Sequence, residues 1–148
     1  MKRMVLGVLS VSLLLAAGPA LADRPATPEE MAKVTEALAA IGCTPYDVEW
    51  DEDDARFEAD DARCGDHGRF DFELDQTYAI VDGERPVTAD ERTAIDAALQ
   101  KEGCSGGMAE FDYDDDRFEI DEAVCSDQQR YEIKLDRSFK LIRKSLDD

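Results

Sequence analysis

The stretch Trp50-Asp-Glu-Asp-Asp-Ala-Arg-Phe-Glu-Ala-Asp-Asp-Ala-Arg-Cys64 is followed, 61 residues later, by Phe111-Asp-Tyr-Asp-Asp-Asp-Arg-Phe-Glu-Ile-Asp-Glu-Ala-Val-Cys125. The same acidic, cysteine-ended phrase is written twice. At that offset Thr27 falls on Thr88, Gly42 on Gly103, Cys43 on Cys104, Arg56 on Arg117 and Phe57 on Phe118. Leu74 and Asp75 fall on Leu135 and Asp136, all without a gap. A gapless match of this length is the mark of duplication, and two copies are too few for a solenoid. The expected organisation is a repeat over 27–81, a linker over 82–87 containing Gly83 and Pro86, a second repeat over 88–142 and a tail over 143–148.

Within each phrase, apolar and acidic residues alternate. Tyr46, Val48 and Trp50 interleave with Asp47, Glu49 and Asp51; Phe70, Phe72 and Leu74 interleave with Arg69, Asp71 and Glu73. Period two with one polar side describes half-buried antiparallel strands. A turn at Asp53-Asp54 would set Trp50 against Phe57, Val48 against Ala59, Asp51 against Arg56 and Cys43 against Cys64. A turn at Asp114-Asp115 does the same for Phe111 with Phe118 and Cys104 with Cys125. The register also opposes Glu49 and Glu58, which is unfavourable.

Upstream of each phrase lies a helix signal. Thr27-Pro-Glu-Glu30 and Thr88-Ala-Asp-Glu91 are capping boxes, the first with proline at the preferred first helical position. Met31, Val34, Leu38 and Ile41 share one helical face, as do Ile95 and Leu99. Gly42 and Gly103 end the helices. The expected fold class is therefore α+β: two tandem repeats, each one helix packed on a three- to four-stranded antiparallel β-meander.

The first 22 residues read differently. Lys2 and Arg3 precede an apolar run that closes on Ala20-Leu-Ala22, the pattern of a cleaved signal peptide over 1–22. The expected location is periplasmic or secreted, where disulfides persist. Four cysteines allow three connectivities; equal spacing in both copies selects Cys43–Cys64 and Cys104–Cys125. Zinc would need close ligand pairs such as Cys-x-x-Cys, which the sequence lacks. A unit of this size buries a modest share of its surface, so a covalent staple matters.

Charge narrows the partners. The formal charge of −19 becomes −21 without Lys2 and Arg3, which disfavours nucleic acid and anionic lipid. The excess of base comes late, at Lys134, Arg137, Lys140, Arg143 and Lys144, and is read as a solvent-facing last strand and tail, the alternative being a basic edge that meets the acidic first unit or a partner. The carboxylates Asp51, Asp53, Asp54, Asp112, Asp114 and Asp115 at the hairpin tips are the candidate metal ligands, although they lack the spaced, glycine-bearing pattern of a calcium loop. The single histidine, His67, lies in a turn, and its counterpart is Gln128. No nucleophile motif accompanies it, so no enzyme activity, catalytic residue or cofactor is expected.

The segments "ALAAIGCTPYDVEWDEDDARFEADDARCGDHGRFDFELDQ" and "ALQKEGCSGGMAEFDYDDDRFEIDEAVCSDQQRYEIKLDR" each resemble a PepSY domain. They share the helix, the glycine, the acidic-faced strand, the Arg-Phe-Glu strand and the aromatic-x-x-x-Leu-Asp strand. The family's Thr-Gly turn after the last Leu-Asp is replaced by Asp75-Gln-Thr-Tyr78 and Asp136-Arg-Ser-Phe139, and the paired cysteines are an addition. The resemblance implies a non-enzymatic binding module with a peptidase-inhibiting or peptidase-regulating role and a protein partner. The alternative is an acidic envelope protein that binds divalent cations through its Asp-rich tips.

Overall fold

The structure, a computed structural model, describes residues 23–147. The expected signal peptide, 1–22, lies outside the described residues. The strands are β1 (Arg24–Pro25), β2 (Cys43–Thr44), β3 (Asp47–Asp51), β4 (Arg56–Cys64), β5 (Arg69–Leu74), β6 (Ile80–Pro86), β7 (Cys104–Ser105), β8 (Met108–Asp112), β9 (Arg117–Cys125), β10 (Arg130–Asp136) and β11 (Leu141–Leu146). Helices α1 (Pro28–Ala39) and α2 (Ala89–Lys101) precede β2 and β7.

These strands form one antiparallel sheet in the order β1-β3-β4-β5-β6-β8-β9-β10-β11, with β2 added beside β4 and β7 beside β9. This overturns the expected architecture. The chain is not a pair of helix-on-meander repeats. Its described residues are mostly antiparallel sheet, with eleven strands and two short helices.

The physical cause lies in residues 82–87, read from sequence as a linker. They fall largely within β6, which pairs with β5 on one edge and with β8 on the other. From sequence Gly83 and Pro86 read as breakers. Gly83 instead has φ +114°, and a Cβ there would stand 2.4 Å from the Asp71 carbonyl oxygen, so the strand needs glycine to lie this close to β5. Pro86 ends the strand opposite Glu110, where it has no donor to supply. The expected tail likewise belongs to β11 as far as Leu146.

The hairpin register is the one read from the sequence. Trp50 faces Phe57, Asp51 faces Arg56 and Cys43 faces Cys64. Phe111 faces Phe118, and Cys104 faces Cys125. The loops are wider than two residues: 52–55 and 113–116 turn, with Ala55 and Asp116 at φ +54° and +53°. Pairing survives because the residues added flank the expected turn symmetrically. The Trp50 and Phe57 rings meet at a tilt with centroids 4.6 Å apart, and Phe111 and Phe118 meet edge to face at 5.0 Å. Tyr46 departs from the alternation: it precedes β3 and is 79% exposed.

Both capping boxes are closed. The Glu30 amide donates to Thr27 Oγ1 and the Thr27 amide to Glu30 Oε2; Glu91 and Thr88 repeat the exchange. Val34 and Leu38 join Val48, Phe57, Phe72 and Leu74 in one buried cluster. Ile95 and Leu99 join Phe111, Phe118, Ile133 and Leu135 in another. Tyr113 packs against both clusters, so the apolar interior runs across the joint.

The turns that replace Thr-Gly are built on aspartate. Asp75 Oδ1 accepts from the Thr77 and Ala79 amides, and Asp136 Oδ1 from those of Ser138 and Lys140. Tyr78 and Phe139 take the left-handed conformation, φ +64° and +59°. Their rings stack on Phe57 and Phe118, which offsets the backbone cost.

The repeat extends further upstream than its capping boxes. Arg24 pairs with Trp50 and Pro25 with Glu49, as Arg85 pairs with Phe111 and Pro86 with Glu110. Arg24 holds both carboxylate oxygens of Glu30 at 2.8 Å; Arg85 holds those of Glu91 at 2.8 and 2.7 Å. Strand β1 therefore occupies, with two residues, the place that β6 fills in the second copy.

Two outcomes follow from this packing. Gly83→Ala is expected to destabilise the protein by roughly 2 kcal/mol or more, read from the urea midpoint, because it adds a Cβ at a positive φ against a backbone oxygen. Replacing Cys104 and Cys125 by alanine is expected to lower stability by roughly 3 kcal/mol or less, with the slope of the unfolding curve reporting any loss of cooperativity.

Candidate binding face

Alternation along β3–β6 and β8–β10 sends apolar side chains to the helix side and charged ones to the other. On the open side stand Glu49, Glu58, Asp60, Asp71, Glu73, Asp82, Glu84, Glu110 and Glu119. The strands cannot lie flat while doing this. Asp61 and Glu122 take φ +53° and +56° at bulges where the β4–β5 and β9–β10 registers shift. The Asp61 amide donates to Asp71 Oδ1 at 2.8 Å, so this bulge is fastened by one of the acids of the face.

Opposed acids are frequent. Glu49 faces Glu58, Glu58 faces Glu73, Glu73 faces Asp82, Glu84 faces Asp112 and Glu110 faces Glu119. Partial burial, and then the neighbouring carboxylates, push Glu58 and Asp60 above the usual carboxylate range. Glu84 is raised in the same way, by burial first and then by Glu110 across the joint. Asp121 follows the same order of causes, burial first and then the like charge of Glu119.

Cations compensate the face unevenly. Beside β9 and β10, Lys134 Nζ meets Glu132 at 2.8 Å and Glu119 at 3.0 Å, and Arg117 also holds Glu119. In the first half Arg56 reaches Glu73. Between these two points, hollows of about 220 Å³ and about 460 Å³ share Asp71 and Asp82; Asp60, Glu84 and Asp112 also line them, and Arg69, which reaches Asp61 at 3.4 Å, lines the larger. Negative charge is thus concentrated over β4, β5, β6 and β8, on either side of the joint. Much of the late base is spent locally: Arg137 reaches Asp116, and Lys144 lies over the Tyr131 ring at 4.6 Å.

Of the tip aspartates, Asp51 and Asp112 brace their own turns. Asp51 Oδ1 accepts from the Asp53 and Asp54 amides, and Asp112 Oδ1 from that of Asp115. Asp112, Asp115 and Glu119 converge within 4.8 Å at the second tip. Sequence reasoning missed Glu119 there because it lies on the strand rather than in the turn. Arg117 already bridges Asp115 and Glu119, so two of the three carboxylates are neutralised from within. Asp53, Asp54 and Asp114 join no such cluster among the described residues. The acids of the strands, which sequence analysis treated only as a wet face, form the larger continuous feature; the signal was their period-two spacing in both copies.

A groove of about 510 Å³ between the copies is lined by His67, Phe70, Val87, Arg92, Met108 and Ala109 among others. Arg92 there is committed to the Gly107 and Gly106 carbonyls at 2.9 and 3.2 Å. All four cysteines are bridged, Cys43 to Cys64 and Cys104 to Cys125, so the described residues hold no free thiol. The bridges place the chain in an oxidising environment. No described helix is long and apolar enough to cross a membrane. Comparison with protein-family models, with curated proteins and with solved structures gives no match.

The charges dictate a stability profile with two limbs. Glu58, Asp60, Glu84 and Asp121 bind protons more tightly folded than unfolded, so stability should rise as pH falls from neutral toward the ordinary carboxylate range. Glu30 and Glu91 are held down to about 2 by Arg24 and Arg85, so their contribution, complete above the ordinary carboxylate range, is lost as pH falls through it toward 2. Thermal melts from pH 8 to pH 2 should show a maximum in mildly acidic solution, and Glu84→Gln should flatten the upper limb.

Proposed function

We propose that this chain is a periplasmic or secreted, non-enzymatic, PepSY-like binding module that restrains a peptidase carrying a basic surface. The single observation behind this reading is the acidic face over β4, β5, β6 and β8, where carboxylates outnumber the two cations in reach, Arg56 and Arg69. A face of one sign steers a partner of the opposite sign and loses strength with salt. The peptidase comes from the resemblance of the two segments to PepSY domains, with its association of that family with peptidase propeptides. Periplasmic or secreted location combines the expected signal peptide with the two disulfides.

Binding without turnover suits the chemistry in reach. The thiols are consumed in bridges, and His67 lies in the turn after Cys64, its amide donating to the Cys64 carbonyl at 3.1 Å. The cation-binding alternative gains no support from the second tip, where Arg117 occupies the space between the carboxylates.

A panel of envelope and secreted peptidases, assayed with and without the purified protein, tests the reading. At least one should be inhibited, with affinity falling as salt rises. Asp60→Asn, Asp82→Asn and Glu84→Gln combined should weaken that inhibition about tenfold or more, near 1.4 kcal/mol, without loss of stability. Hydrolysis by the protein alone, abolished by a single substitution, would overturn the non-enzymatic reading.

A further inference from the structure

Strand β11 ends the sheet, and no described residue pairs with its outer edge. It is an unusual edge for a chain of charge −19. It carries Arg143 and Lys144, with Lys140 just before it, and leaves Leu141, Ile142 and Leu146 exposed. Exposed apolar edge strands invite a further strand. The duplication specifies which one. At the 61-residue offset β11 corresponds to β6, and the outer edge of β6 is already occupied, by β8. The counterpart of β8 is β3.

We propose that the outer edge of β11 receives strand β3 of a second copy of this chain, in the register in which β6 receives β8, with that copy's β1 displaced. The internal joint supplies the geometry. There Glu84 faces Asp112, Arg85 faces Phe111, and the Tyr113 amide donates to the Gly83 carbonyl at 3.0 Å. The corresponding contacts set Ser145 against Asp51, Leu146 against Trp50, and the Glu52 amide on the Lys144 carbonyl. The groups needed on β11 point outward: the Asp147 amide donates inward to Arg130, so by alternation those of Leu146 and Lys144 face away.

Charge favours this pairing more than the internal one. Across the joint Asp82 shares a hollow with Asp114 and Asp112. In β11 the counterpart of Asp82 is Arg143, that of Gly83 is Lys144 and that of Glu84 is Ser145. Two acids and a glycine are exchanged for two bases and a serine, while the incoming copy keeps Asp51 on β3 and Asp53 in the turn after it. Arg143 therefore approaches Asp53 where the internal joint sets acid near acid. Asp147 opposite Glu49 subtracts from the gain. Leu146, more than half exposed, would cover the Trp50 ring that Arg24 now overlies at 5.8 Å.

What holds the edge of β3 closed is short: besides the Arg24 contacts to Glu30 and Glu52, the Ala26 amide donates to the Val48 carbonyl at 2.9 Å. β1 contributes two residue pairs, Arg24 with Trp50 and Pro25 with Glu49. Its arginine is 40% exposed, against 12% for Arg85 at the equivalent site. Such a contact joins different surfaces of the two copies, so it propagates head to tail rather than closing into a symmetric dimer.

Sedimentation equilibrium of the purified protein over a range of concentrations, at moderate salt, is the test. The wild type should gain mass with concentration beyond a single dimer. Arg24→Ala, which loosens β1, should tighten association about tenfold, near 1.4 kcal/mol. Leu146→Pro removes an outward amide, a change an edge strand tolerates, and should weaken association at least about tenfold. Arg143→Glu should weaken it similarly, and adding Asp53→Arg should restore it. Wild type and Arg24→Ala both monomeric to about 1 mM would overturn the proposal. So would association untouched by Leu146→Pro, or no recovery in the charge-swapped pair when circular dichroism shows each variant folded.

Discussion

Strand β6 carries hydrogen bonds on both of its edges, and the rest of the structure depends on that. Without it, each copy would bury only its own cluster and leave a sheet edge open. With it, β5 and β8 become neighbours by one strand, and a single sheet spans both copies. The local arrangement is demanding. Gly83 lets the strand approach Asp71 and Phe72, and its carbonyl accepts from Tyr113. Two residues on, Arg85 is clamped by Glu91 and Tyr113 and lies over the Phe111 ring at 4.9 Å. One mostly buried arginine thus ties the joint strand to the helix that follows it and to the strand beyond. A guanidinium suits this work because its planar donors pair with a carboxylate in parallel while its face stacks on an aromatic ring.

Duplication explains much of what surrounds the joint. Each copy brings a closed capping box, a bridged hairpin, an arginine on a capping glutamate and an aromatic in the turn after Leu-Asp. The copies differ where their surroundings differ. β6 has neighbours on both edges and keeps Gly83; β11 has one neighbour and carries Lys144. Arg85 lies in an interior and Arg24 at a rim, so equal contacts have unequal worth, since exposed ion pairs are weak.

The acidic face is tolerated rather than favoured by the fold. Opposed carboxylates across five strand pairings cost stability, and nothing in the described core requires them. A chain this small offsets the cost with two covalent bridges and with clusters that bury aromatic residues on the helix side. Under the proposed function this charge is the surface offered to a basic partner, which is why the face rather than the hairpin tips anchors that proposal.

How much of this could be read from residues alone follows from the range of each interaction. Capping boxes, hairpin register and disulfide partners are local: they depend on side chains within about twenty residues of one another, and their types and spacing record them. The repeat made those readings firmer, because any register had to serve both copies. The union of the two copies was not legible. Backbone hydrogen bonds between β6 and β8 are indifferent to side-chain identity, and Gly83 and Pro86 carry the signature of a break as readily as that of a close approach. The two-residue β1 was too short to leave a period. Glu119 escaped notice beside Asp112 and Asp115 because strand and turn converge only once the hairpin is folded. The sequence alone determined which residues face inward, Tyr46 excepted, where the helices start and which cysteines meet; the tertiary structure decided that two copies share one sheet, because strand edges are satisfied by whichever edge lies beside them.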